Sequence, residues 1–323
     1  MSQVLITGGA GYVGSELVPL LLENNYSVVV LDLFLYGETL SPHKNLKLIK
    51  GDLRNSSVVK EALKGCESVI HLACISNDPS FDLDPKLGKS INLDSFRPLV
   101  EASINAGVKR FINASSSSVY GVKDESSVHE GLNLEPLTDY SIFKAECERI
   151  LESFQSENFT TVSIRPATVC GVSRRQRLDV IVNILVNNAH NKNKILVFGG
   201  EQKRPNIHIK DMCQAYMLLL NAPSKKIAGK VFNVGDENFP VKDLAQLVKK
   251  HYPSAQVETI PSDDDRSYHI SSELIHRELG FKTKHSIEEA IEDLKTAFEK
   301  GVFQDSNSSN YFNVQKMKEV NLL

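Results

Sequence analysis

Two residues in the segment DYSIFKAECERIL, Tyr140 and Lys144, stand four apart. On a helix that spacing puts both side chains on one face. A phenol ordinarily loses its proton near pH ~10. An ammonium beside it favours the phenolate, so the pair can exchange protons near neutrality. A second group of hydroxyls lies in ASSSSVYG, Ala114 to Gly121, where four serines follow one another with no carboxylate among them. A third cluster opens the chain: ITGGAGYVGS sets Gly8, Gly11 and Gly14 at G-x-x-G-x-x-G spacing. Glycines there permit a tight turn and let backbone N–H groups approach a diphosphate at a helix N-terminus.

The elements that must position these residues alternate in the first half. Short β-branched runs fall at 4–7, 27–32, 46–49, 68–73, 110–115 and 161–165, and helix-like segments at about 12–23, 56–63, 86–106 and 139–157. The pattern predicts an α/β fold: a Rossmann-type, doubly wound parallel sheet covered on both faces. Pro19 falls inside the first proposed helix, where a proline costs roughly 3 kcal/mol, yet SELVPLLLE keeps its apolar period. After Arg165 a loop leads to a helix near 178–190 and a strand at 195–198. NIHIKD re-enters strand and helix to about 220, and 230–235 is a further strand. Helices near 241–250, 272–279 and 286–299 follow. These segments predict a smaller α/β C-terminal substrate lobe over the carboxyl ends of the sheet. The expected division is 1–165 with about 207–235 for the nucleotide domain, and 166–206 with 236–300 for the second lobe. The Asn- and Ser-rich tail, 301–323, reads as weakly structured.

The glycines sit between the first strand and a helix, and Asp32 ends the second strand 18 residues after Gly14. An acid there accepts from the adenosine ribose hydroxyls of a dinucleotide and repels a 2′-phosphate, which predicts NAD rather than NADP. Asp52, in KGDLR after the third strand, is placed to accept from the adenine amino group.

Of 323 residues, 41% are hydrophobic and 24% charged, and 37 basic against 40 acidic residues leave a net charge of −3. No basic face is advertised, so nucleic acid is not an expected partner. No apolar run approaches the ~20 residues that cross a bilayer, and the N-terminus has no basic n-region or cleavage site. Five scattered cysteines (Cys66, Cys74, Cys147, Cys170 and Cys213) without a C-x-x-C fit a reducing, cytoplasmic setting. The three adjacent acids of SDDDRS do not converge on one ion, no histidine pair has zinc-like spacing, and no metal is expected. His71, in IHLAC, reads as a strand-end residue at the cofactor cleft.

Taken in order, TGGAGYVGS, GDLR, HLA, SSSSVYG, YSIFK, RPATVCG, RPNIHIKD and DDDRSYHIS give the chain its resemblance to a known family. Over about residues 3–300 it resembles an extended short-chain dehydrogenase/reductase of the nucleotide-sugar epimerase/dehydratase type. The resemblance implies NAD bound by Gly8, Gly11, Tyr12, Val13 and Gly14 with Asp32. It adds Asp52 and Leu53 from GDLR, Leu72 and Ala73 from HLA, and Pro166, with Tyr140 and Lys144 at the reacting end. It makes Ser116, four residues before the tyrosine of V-Y-G, the catalytic hydroxyl. Ser116 would bond the sugar O4 while Tyr140 removes its proton and hydride leaves C4 for NAD. Ser115 would end the strand, and Ser117 and Ser118 would line the turn, Ser117 within reach of substrate. In the dehydratase branch an Asp-Glu pair occupies the positions of Ser117 and Ser118, so the resemblance argues against 4,6-dehydration here.

The implied substrate is a nucleoside-diphosphate sugar, used in making cell-surface glycan precursors. Arg204 and Arg266 match the two arginines that meet its diphosphate, where a guanidinium fork suits phosphate oxygens. Thr168 stands where the family has a substrate-binding asparagine, and Pro205 stands where an acid is common. Asn92 would support the site from a long helix. In SRRQRLDVIVN, Arg177 or Asn183 would touch the sugar nucleotide or pack the lobe. The family also implies a homodimer through the helices at about 90–106 and 140–157, with Ile142, Ile150 and Phe154 facing a partner or the sheet. The expected reaction is NAD-dependent 4-epimerisation. The same Ser-Tyr-Lys site would serve a 4-ketoreductase or 4-dehydrogenase acting on an NDP-deoxysugar or NDP-heptose, and sequence does not separate them. A non-catalytic NAD-dependent sensor is opposed by the intact Ser116, Tyr140 and Lys144.

Overall fold

The runs VLIT, VVVL and VIH lack polar alternation because both faces of their sheet are covered. The computed structural model describes residues 2–261, 267 and 269–320. Its strands are Gln3–Thr7 (β1), Ser27–Asp32 (β2), Leu46–Lys50 (β3), Ser68–His71 (β4), Arg110–Ala114 (β5) and Thr160–Pro166 (β6). Thr168–Cys170 (β7), Lys194–Phe198 (β8), Lys203–His208 (β9), Lys230–Val234 (β10), Glu237–Pro240 (β11) and Gln256–Ile260 (β12) follow. A seven-stranded sheet runs in the order β10-β6-β5-β4-β1-β2-β3, and every pairing in it is parallel. Val4, Ile6, Val28, Val30 and Ile70 pack on one face, and Leu5, Val29, Leu31, Val69 and Phe111 on the other. The two sets interleave along the strands, as the period of two requires.

The helices Gly14–Glu23 and Ile209–Asn221 cover the first face. Ser56–Ala62, Phe96–Asn105 and Asp139–Glu152 cover the second. The first helix runs through Pro19, held by buried Leu17, Val18 and Leu21. The segment read as one helix over 86–106 is broken: Pro85–Lys89 is followed by a π-helical turn, Ser90–Asp94, before Phe96–Asn105 begins. A widened turn of this kind often marks a functional position, and this one carries Asn92.

The second lobe has a core of its own, built from the helices Ile181–Lys192, Val241–His251 and Ile287–Glu299 against β8. Two small sheets complete it, β11-β9-β7 and β12-β8. Two segments depart from the expected division. Ile270, Ile275 and Phe281 return to the nucleotide domain and join the core on its first face. The tail does not trail loosely: Phe303, Tyr311 and Phe312 pack on the second-lobe core, and Asn313–Glu319 is helical. Polar composition hid three aromatic anchors. No described helix is long and apolar enough to cross a membrane.

His71 ends β4 but is buried beneath the crevice rather than lining it, with its Nδ1 2.7 Å from the Thr7 hydroxyl and its ring against Phe96 and Phe111. Burial, then the Lys144 charge, lowers its pKa to about 3. His208 is held down to about 4, first by burial. Both are neutral when folded, and both take up a proton near pH ~6.5 when unfolded. Stability is therefore expected to fall as pH drops from about 6.5 towards those values. Urea midpoints between pH 7 and 4.5 check this, and His71→Gln should flatten the dependence.

Candidate active site

At the carboxyl ends of the strands a crevice of about 420 Å³ opens where the strand order reverses between β1 and β4. The glycine turn forms its floor. Gly8 has φ +74°, and a Cβ there would stand 2.6 Å from the Ala73 backbone nitrogen. A Cβ on Gly14 would stand 2.6 Å from the Gly8 oxygen. A Cβ on Gly11 would approach only the Gly8 oxygen, at 3.1 Å, leaving that side of the turn open. Tyr12, Val13, Asp32, Asp52, Leu53, Leu72, Ala73 and Pro166 all line the crevice. The Asp32 carboxylate accepts from the Ala10 and Phe34 N–H groups at 2.9 and 2.8 Å. Burial raises its pKa and those bonds oppose the rise. Asp52 is clamped to Arg54 at 2.7 Å; burial pushes its pKa up, but the Arg54 hydrogen bonds win and hold it below the usual range.

The reacting end is built from two elements. Ser116, in extended backbone, caps a short 3-10 turn, Ser117–Tyr120, by accepting from the Ser118 N–H. Its hydroxyl lies 2.7 Å from that of Ser118. The Thr138 capping box starts the helix Asp139–Glu152, which carries Tyr140 and Lys144 into the crevice wall. Lys144 is buried; its ammonium donates to the Ala114 carbonyl at 2.7 Å and stands 5.8 Å from the Tyr140 ring centroid. Burial holds the Tyr140 phenol neutral, well above its ordinary value, with Cys74 and Asp78 adding to the rise. Arg177 and a hydrogen bond with Ser116 pull the other way.

Of the substrate candidates, Ser117, Thr168 and Arg177 line the crevice. Arg177 is ion-paired with Asp179 at 2.9 Å and leaves its Nη2 unpartnered. Asn183 does not reach it. It is fully buried, accepts from the Gly171 N–H, and donates to the Tyr12 hydroxyl and the Arg177 carbonyl. Asn92 is likewise no ligand here: its amide exchanges two bonds with the Ile75 backbone, at 2.8 and 2.9 Å, and so fixes the loop after β4. Both amides are already satisfied in the interior, so they act as supports. Arg204, on β9, lies outside the crevice lining and donates to the Lys203 carbonyl. Arg266 lies outside the described residues. Several lining residues were not singled out in the sequence, among them Tyr36, Ser76, Asp78, Arg175, Asp179, Tyr216, Asn313 and Met317. The basic run that drew attention to Arg177 also contains Arg175; the tail carried no such signal. Among the described residues no three His, Cys, Asp or Glu side chains converge as a metal site.

Residues 4–235 match the NAD dependent epimerase/dehydratase family. The chain belongs to that family. It is 29% identical to the dTDP-D-glucose 4,6-dehydratase of Mus musculus, over 98% of this chain and 92% of that one. It is 27% identical to the UDP-glucose 4-epimerase of Corynebacterium glutamicum, over 92% and 94%. Among solved structures, MoeE5 in complex with UDP-glucuronic acid and NAD superposes with a TM-score of 0.84 at 26% identity, covering 93% of this chain and all of that one.

The chain is thus an NAD-dependent enzyme of the nucleotide-sugar epimerase/dehydratase type. The crevice fits the cofactor: a glycine turn with no room for side chains at Gly8 and Gly14, a half-buried carboxylate, Asp32, at the end of β2, and unpartnered guanidinium N–H groups on Arg175 and Arg177. Gly14→Ala should displace the turn and cost bound NAD, read as nucleotide released from equal amounts of denatured wild-type and variant protein.

Proposed function

We propose that the enzyme is a nucleotide-sugar 4-epimerase. The observation that carries the reading is the turn after Ser116. Its first two residues, Ser117 and Ser118, offer hydroxyls only, the latter bonded to Ser116 itself. Elimination of water needs an acid to protonate the departing hydroxyl, and this turn has none. The carboxylates that do line the crevice come from other elements and are engaged: Asp78 accepts from Thr138, and Asp179 pairs with Arg177.

NAD, when bound, accepts hydride from the sugar carbon and returns it. Tyr140 takes the C4 hydroxyl proton onto its phenolate oxygen and gives it back after the 4-keto sugar has presented its other face. Ser116 donates to the C4 oxygen. Lys144 favours the phenolate and, through Ala114, anchors the helix to the end of β5. Ser117, Thr168 and Arg177 are the substrate contacts favoured by their place in the lining. Arg204 and Arg266 keep the role of meeting the substrate diphosphate, which the family pattern gives them.

A homodimer through the helices Phe96–Asn105 and Asp139–Glu152 is part of the same reading. Ile104 and Ile142 are exposed there, whereas Ile150 and Phe154 turn inward to the sheet. All five cysteines are unpaired, four of them buried, which suits a cytoplasmic enzyme.

Incubation with UDP-, GDP- and dTDP-hexoses should yield a C4 epimer with no net change in NADH. Stoichiometric NADH formation or consumption would instead identify a one-way 4-dehydrogenase or 4-ketoreductase, and a 4-keto-6-deoxy product would overturn the reading. Tyr140→Phe should lower turnover at least ~100-fold while NAD stays bound. The base form of Tyr140 is required, so kcat/KM should rise with pH, and Lys144→Met should move that rise to higher pH.

A further inference from the structure

Three segments far apart in sequence meet at Asn313. Its Nδ2 donates to the Ser76 hydroxyl at 2.9 Å, its backbone N–H donates to Asp179 at 2.7 Å, and its Oδ1 accepts from Arg175 at 2.6 Å. Ser76 belongs to the loop after β4, and Arg175 and Asp179 to the loop after β7. All of them line the crevice. Four residues on, Met317 packs against Ile75, Leu87 and Ile91. Upstream, the Tyr311 carbonyl accepts from the Leu178 N–H at 2.9 Å. The tail therefore bridges the two edges of the cofactor crevice.

Behind it stands Arg175. It is 4% exposed, its guanidinium lies 3.5 Å from the Tyr36 ring centroid, and its Nε has no partner. Its loop is pinned on the first turn of the nucleotide-binding helix: the Arg175 N–H donates to the Ser15 hydroxyl, the Ser173 hydroxyl donates to the Tyr12 carbonyl, and Arg174 pairs with Glu16. A buried cation with a spare N–H needs an anion or acceptor, and the dinucleotide diphosphate brings one to this crevice.

We propose that Arg175 is a cofactor-binding residue and that the segment Ser309–Glu319, clasped through Asn313, is a strap across the crevice that slows the release of bound NAD. The guanidinium satisfies its free N–H on the bound cofactor while Asn313 holds it from behind. The Met317 contact keeps the strap down without touching the reacting end. This goes beyond the assignment of the sugar reaction and does not depend on it.

The test is release of radiolabelled NAD from loaded full-length enzyme into excess unlabelled NAD, followed by rapid gel filtration. Asn313→Ala and Met317→Ser should each speed release by ~10-fold or more, the weight of one lost hydrogen-bonded or packed group. Arg175→Met should do the same and also weaken equilibrium NAD binding. Thermal unfolding of the NAD-free variants identifies any that fails to fold, and the remaining ones decide the question. Release within twofold of wild type in the folded variants would overturn the proposal. Because the readout is cofactor release, an enzyme inactive on every sugar tried leaves the result intact.

Discussion

A parallel sheet buried on both faces leaves only the strand ends for polar chemistry. This constraint organises the molecule. Apolar side chains from alternate positions of β1, β2, β4 and β5 fill the two faces. The glycine turn, the serine turn and the Tyr140–Lys144 helix are therefore confined to one rim. The reversal of strand order between β1 and β4 then opens the rim into a crevice.

Holding charged groups at that rim requires partners for each of them. Beneath the serine turn, Arg165 forms two bonds to Glu148, at 3.0 and 2.6 Å, and a third to the Tyr120 hydroxyl, which donates to Asn233. The pair is almost fully buried. A buried ion pair of this kind is weak evidence for stability but strong evidence for a fixed geometry when every polar atom is satisfied. It ties the end of the Ser117–Tyr120 turn to the helix Asp139–Glu152 and to β6 and β10, which sets Ser116 opposite Tyr140. Lys144 makes the second tie, to the Ala114 carbonyl.

The four serines divide the work by position. Ser115 continues the strand through its N–H to the Ile164 carbonyl. Ser116 faces the tyrosine, Ser117 is buried in the turn, and Ser118 steadies Ser116. Hydroxyls can accept and donate without adding charge next to a phenol whose pKa burial already raises. A carboxylate at Ser117 or Ser118 would raise it further by like-charge repulsion. The turn is therefore suited to proton exchange at one oxygen.

The periodicity of the sequence made the sheet, its covering helices and the glycine turn legible, because strand and helix repeats report burial directly. The i, i+4 pair Tyr140 and Lys144 was legible for the same reason. Whether Asn183 touches the sugar nucleotide or packs the lobe was not legible, since an amide looks alike whether it faces a cavity or satisfies a backbone turn; the structure gives it the packing role and Asn92 the supporting one. The π-helical turn at Ser90–Asp94 and the return of Ile275 to the first core leave no trace in local pattern. Nor does the tail: its aromatic anchors gain meaning only on the second-lobe core, and Asn313 only beside Ser76 and Arg175, residues more than a hundred positions away. Local propensity is a property of neighbours in the chain, and the sequence by itself determined what depends on such neighbours. The tertiary structure alone decided which distant polar groups satisfy one another, because that pairing exists only once the lobes close around the crevice.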